Sequence, residues 1–340
     1  MIFTKNTFPV FFTFFLISSL SCSDFGNVKN NKSAETPDDT LVMKPETETS
    51  NRSPLYHSND LGNTWIKSGQ GLPANAEMSF LEKFENEIVA ATDNVGVFIS
   101  QNNVTTWKDI GKDLPSKKIN ALHISNNEIF VAPYRKGIFK SKNQGETWEE
   151  LTFDLPNLRV NAILKNKDQL IVGNDIGIFK LDFKQNKWLR KFNAVQVVSM
   201  NQSNGKMVAG TNQGTLFSDD LGENWKWIHR QGAAHNTAIL DGKIIIMNVS
   251  NDTFISNDWG KTWEELNYSP KKASYIYEST FKNGKFILSN NYGVHRSTID
   301  EKTFELIFEN EEYGFFDFLI FEEKIYGATR TWNENRGRRK

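Results

Sequence analysis

One eight-residue pattern, Ser-x-Asp-x-Gly-x-Thr-Trp, recurs along the chain, and its fullest copy is Ser256-Asn257-Asp258-Trp259-Gly260-Lys261-Thr262-Trp263. The closing aromatic falls at Trp65, Trp107, Trp148, Trp188, Trp225, Trp263 and Phe304, so the steps are 42, 41, 40, 37, 38 and 41 residues. Self-similarity at about 40 residues marks a propeller or another repeat array, in which one repeat cannot bury its own apolar face. This period constrains the fold more than any single residue does.

The copies ending at Trp65 and Trp225 are nearly complete; Asn143 replaces Asp in the copy ending at Trp148, and Val104 replaces Gly in the copy ending at Trp107. The copies ending at Trp188 and Phe304 keep little beyond the aromatic and the spacing. Each conserved type has a structural use. Asp60, Asn143, Asp220 and Asp258 can accept hydrogen bonds from turn N–H groups, Gly can take positive φ, and Trp65, Trp107, Trp148, Trp225 and Trp263 can wedge between neighbouring sheets. None of these uses requires a ligand.

Ahead of each copy lie short apolar runs such as Ile119-Asn120-Ala121-Leu122-His123-Ile124, Glu128-Ile129-Phe130-Val131-Ala132 and Gly137-Ile138-Phe139-Lys140-Ser141, separated by Asn, Gly and Asp clusters. With the segment that starts at the aromatic, these make four strands per repeat, A to D, with A innermost. The first recognisable pieces are a C and a D strand (Leu55 to Lys67), and the last are an A and a B strand (Phe315 to Thr329). The expectation is an all-β, seven-bladed β-propeller over 53–332, with four antiparallel strands per blade and the last blade closed by both chain termini. Such closure covers edges that would otherwise invite aggregation.

Lys plus Arg total 40 and Asp plus Glu total 41, so no global charge argues for nucleic acid or an anionic membrane. The basic tail at 333–340 is expected to be a solvated terminus. At the other end, Lys5 precedes an apolar run that is too short for an ordinary spanning helix and reads as a signal peptide over 1–21. It leads into Leu20-Ser21-Cys22, which resembles a bacterial lipobox, with Ser19 standing where that pattern prefers Leu. Cys22 is the only cysteine and is the expected lipidation site, which leaves no disulfide within the chain. Residues 22–52 are polar, rich in Asn, Lys, Glu, Thr and Pro, and read as a flexible tether. The expected location is the bacterial cell envelope, lipid-anchored through Cys22.

The repeats resemble the Asp-box, or BNR, superfamily, which includes sialidases, two-propeller xyloglucanases, sortilins and the seven-bladed photosystem II assembly factor. That resemblance implies the blade type and says little about activity. Sialidases carry an F-R-[IL]-P motif that this sequence lacks. The five histidines show no metal spacing, and there is no G-x-S-x-G and no phosphate-cradling glycine loop. A monomer without cofactor or metal is expected. Its B-to-C loops are polar, and Arg135, Tyr134, Asp175, Tyr292 and Arg330 are the candidate ligand-binding residues. Amides and carboxylates there could bind a sugar or peptide, while the recurring Asn could equally serve tight turns. The expectation is a non-enzymatic, membrane-anchored propeller that binds a protein or glycan partner. The alternative is a divergent glycoside hydrolase or polysaccharide lyase, in which two carboxylates from a set such as Asp113, Asp175, Glu311 and Asp317 would lie near one face and act as a pair.

Overall fold

The structure, a computed structural model, describes residues 52–331 apart from 103, 167, 241, 251, 267–275, 291–292, 299–303 and 310–311. Cys22, Tyr292, the leader and tether up to residue 51 and the basic tail therefore lie outside the described residues. What is described contains no helix and forms seven four-stranded antiparallel sheets, the blades of a β-propeller. Blade 1 runs through Met78–Phe84, Glu87–Thr92, Val97–Gln101 and Thr106–Asp109 as its A to D strands. The A strands of blades 2 to 6 are Ile119–Ser125, Val160–Asn166, Val197–Ser203, Ala234–Leu240 and Ile276–Lys282. Blade 7 joins Tyr313–Phe321 and Lys324–Thr331 to the early strands Leu55–Ser58 and Ile66–Lys67.

Each B strand is covered on both faces by neighbouring blades, so its sequence is a continuous apolar run with no alternation. Ile88, Val89, Ala90 and Ala91 are fully buried, as are Ile244, Ile245, Ile246 and Met247. The A strands form the inner edges and need protection. Side chains of one blade supply it by accepting N–H groups of the next: Glu82 from Ile124 at 2.9 Å, Asn201 from Ile239 at 3.2 Å and Asp317 from Leu81 at 2.6 Å.

The repeated motif builds the C-to-D turns. In blade 5 the Ser256 hydroxyl accepts the Gly260 N–H at 2.8 Å and donates to Asp258, whose carboxylate accepts the Thr262 N–H at 2.9 Å and the Thr262 hydroxyl at 2.7 Å. These bonds from Thr262, then that from Ser256, hold the Asp258 carboxyl down to about 2. Asp60 and Asp220 make the same bonds to Thr64 and Asn224. In blade 2, Asn143 substitutes neatly, because its carbonyl accepts the Thr147 N–H at 3.0 Å and its amide donates to the Thr147 hydroxyl at 2.9 Å. The tryptophans reach across blade seams: Trp148 donates to the Ile110 carbonyl at 2.9 Å, and Trp263 to that of Ile228 at 3.0 Å. Trp225 bonds the Gly222 carbonyl of its own turn at 3.1 Å, Trp65 packs on Phe315, and Trp107 packs on the core between blades 7 and 1.

A paired test separates geometry from charge. Asp258→Asn should melt close to the parent, since Asn143 already makes this turn, and should lose part of the acid sensitivity below pH 4, because a depressed carboxyl loses its contribution as pH falls through its folded value. Ser256→Ala leaves the Gly260 N–H without its acceptor and should cost about 1–2 kcal/mol, a shift of a few degrees in a thermal melt.

Candidate functional site

At the end of the ring opposite the Asp boxes, the sequence repeat brings three kinds of position together. One is a residue just past a B strand, Asp93, Tyr134, Asp175, Asn212 and Val249, or near the end of one, Arg330. The second is the residue just before an A strand: Glu77, Lys118, Arg159, Gln196 and Ala233. Backbone bonds tie the two sets, as Asp93, Tyr134, Asn212 and Val249 donate to the carbonyls of Glu77, Lys118, Gln196 and Ala233 at 2.7, 2.8, 3.0 and 3.0 Å. The third is a β-bulge near the start of all seven A strands, which in six of them inserts Ser79, Asn120, Asn161, Val198, His235 and Phe316 beside the ring opening.

Charge is concentrated on one arc of this rim. Arg330 lies over Phe316 and reaches the Asp93 carboxylate at 2.8 Å, and Lys118 meets the other oxygen of that carboxylate at 3.0 Å. Lys118, Arg135 and Arg159 all stand over the Tyr134 ring, at 5.1, 5.1 and 5.7 Å from its centre. Arg159 continues the chain to Asp175 at 3.3 Å, and Asp175 also accepts from the amides of Asn161 and Gln196, both at 3.0 Å. The arc thus spans blades 7 through 4. Blade 5 is different, presenting Ala233 and an exposed Val249.

Arg135, Tyr134, Asp175 and Arg330 therefore share one rim, although they come from three blades. Lys118 and Arg159 were not legible as site residues from loop composition. The signal that could have found them is the repeat itself, which places Glu77, Lys118, Arg159 and Gln196 at equivalent positions. Several loop amides serve the loops: Asn94 accepts from Glu77 and donates to Asn75, Asn174 bonds Asn157 and Ile176, and Asn212 accepts from Gln196.

Below the rim the A strands enclose a cavity of about 1220 Å³. Glu82, Glu278 and Asp317 line it beside Ala121, Ala162 and Met200. Burial is the main cause that pushes Glu278 up to about 7, against hydrogen bonds from Ser279 N–H and the Asn236 amide. Burial, then the neighbouring Glu278, raises Asp317 well above the usual carboxylate range. His123 sits between Glu82 at 3.3 Å and the Lys165 carbonyl at 3.4 Å. Burial opposes its charge, but Glu82 and the Lys165 carbonyl outweigh it and raise the imidazole. Among the described residues, no three His, Cys, Asp or Glu side chains are placed to hold a metal ion.

The same architecture is found in other proteins. No family model matches the chain, and no curated protein matches it in sequence. Among solved structures, YCF48 bound to D1 peptide superposes with a TM-score of 0.62 at 13% identity, covering 82% of this chain and 98% of that one. The extracellular domain assigned to a hybrid two component system of B. thetaiotaomicron gives 0.62 at 16% identity, covering 78% of this chain and 40% of that one. An ancestral GH74 enzyme gives 0.54 at 13% identity, covering 84% of this chain and 39% of that one. The chain spans only about two fifths of these last two proteins. At such identities the likeness concerns the fold alone.

Proposed function

We propose that this chain is a non-enzymatic binding propeller, held at the bacterial envelope membrane through a lipid on Cys22, which captures a segment of a partner protein on the rim around Tyr134. The observation that carries this reading is the continuous arc from Arg330 through Asp93, Lys118 and Tyr134 to Arg159 and Asp175. Alternating cations and carboxylates suit a peptide, which offers both donors and acceptors, and the Tyr134 face gives it an apolar platform. The fold neighbour bound to D1 peptide supports the same use of such a ring.

Arrays of envelope-protein peptides and of glycans, probed with the full chain, test the reading. Peptide retention without cleavage is expected, and Arg135→Ala combined with Arg330→Ala should weaken it by about tenfold or more, the size of an Arg hot-spot loss. Retention of glycans alone would redirect the proposal to a carbohydrate. Full retention by the double variant would show that this rim is not the site.

A further inference from the structure

Blade 3 departs from the repeat on the outer wall of the ring, away from the rim. Its D strand, Lys187–Asn193, is seven residues long, whereas the D strands of the other blades, such as Glu149–Glu150, Lys226–His229 and Glu264–Leu266, are shorter. Short edges are how a sheet avoids recruiting foreign strands. The Asp-box loop is also missing here. Pairing continues to Asp182 opposite Lys187, so the strand is laddered from its first residue. Leu189 on the strand and Phe183 in its turn are exposed, at 39% and 42%.

We infer that this strand is an addition site for an extended, acidic segment of a partner protein, which would become a fifth strand of blade 3. The backbone geometry supports it. Trp188 pairs with Leu181, yet its N–H is accepted by the Asp154 carboxylate at 2.8 Å, so it points away from the sheet. Two residues on, strand parity turns the N–H and C=O of Arg190 outward as well. Asp154 already shows that a carboxylate fits against this edge.

Charge identifies the occupant. Lys180 and Lys191 are both answered by Glu223 from blade 4. Lys184, Lys187 and Arg190 are exposed, and Arg190 leans over the Phe179 ring at 5.2 Å. A second copy pairing antiparallel on this edge would set Lys and Arg side chains opposite one another, which is unfavourable. An incoming strand that alternates acidic with apolar or β-branched residues would set its carboxylates on the face of Arg190 and its apolar residues on the opposite face, over Leu189 and the stem of Lys187.

The test uses the full chain and an acetylated synthetic peptide that alternates glutamate with valine and threonine, followed by fluorescence anisotropy and by hydrogen exchange at the Arg190 amide. Binding that slows exchange at Arg190 is expected. Arg190→Pro, which removes the outward N–H and leaves the bonds to the C strand, should weaken binding at least tenfold. Lys187→Glu with Arg190→Glu should do the same and transfer the preference to the lysine counterpart of the peptide, a reversal that a misfolded variant would not show. No binding at millimolar peptide, protection confined to the rim, or undiminished binding by the charge-reversed protein would overturn the inference.

Discussion

Deleting residues 322–340 is expected to leave no cooperatively folded protein, whereas deleting 333–340 should leave the melting temperature nearly unchanged. The longer deletion removes Lys324–Thr331, the B strand of blade 7, which pairs with Tyr313–Phe321 on one side and with Leu55–Ser58 on the other. Ile325, Tyr326, Ala328 and Thr329 in that strand are each 3% exposed or less. At roughly 2 kcal/mol for each large buried side chain, with both flanking strands then laid open, the loss rivals a typical total stability of about 5–15 kcal/mol. The seam is also where the aromatics cluster. Trp65 packs on Phe315 with ring centres 4.6 Å apart, and the Tyr313 and Tyr56 hydroxyls bond at 2.9 Å. A point variant probes the same place, because a Cβ on Gly327 would fall 2.3 Å from the Phe315 ring. Gly327→Ala should cost about 1–3 kcal/mol through overpacking. Circular dichroism melts decide both tests, and equal melting temperatures for the two deletions would contradict closure of the ring through this strand.

The blade count was legible because the turn that joins C to D needs a small fixed set of residue types, and because B strands buried on both faces must be apolar throughout. Neither constraint reaches the rim. The bulge residues Ser79, Asn120, Asn161, Val198, His235 and Phe316 share no chemistry, since the extra residue faces the opening and not the apolar layers between blades. No local pattern announces a bulge there. Arg135, Arg330 and Tyr292 stood out because turn geometry does not ask for them, but the residues that surround Arg330 and Tyr134, namely Asp93, Lys118 and Arg159, come from other loops and are joined only in three dimensions. Asp317 was legible only as one of several carboxylates near one face, and Glu278 looked like an ordinary polar residue of an inner strand. Their environment comes from adjacent blades closing around one cavity, which strand periodicity does not encode.

That environment should give the fold a stability maximum at mildly acidic pH, and Glu278→Gln should remove the Glu278 share of its alkaline limb. The Glu278 carboxyl is raised from 4.5 to about 7 by burial. The folded state therefore holds a proton that the unfolded chain gives up, so this group's contribution is complete below pH 4.5 and is lost as pH rises through 7. Asp317, raised by burial and by Glu278, acts in the same direction. His295 acts in the opposite one: burial lowers it from 6.5 to about 4, so folding loses stability as pH falls from 6.5 toward 4. Burial lowers His229 likewise. The two limbs leave a window near pH 5 to 6 in which the carboxyl is protonated and the imidazoles are neutral. The Glu278 and His295 contributions each amount to about a few kcal/mol, since one unit of pKa difference is about 1.4 kcal/mol. Glutamine keeps the shape of the protonated carboxyl, and the Asn236 amide can turn to present its carbonyl to it. Glu278→Gln should then match the parent near pH 5, melt several degrees higher at pH 8, and leave the acid limb set by His295 in place. A variant that is less stable at pH 8 would mean that the ionised carboxylate, and not its proton, holds blade 6 against blades 5 and 7.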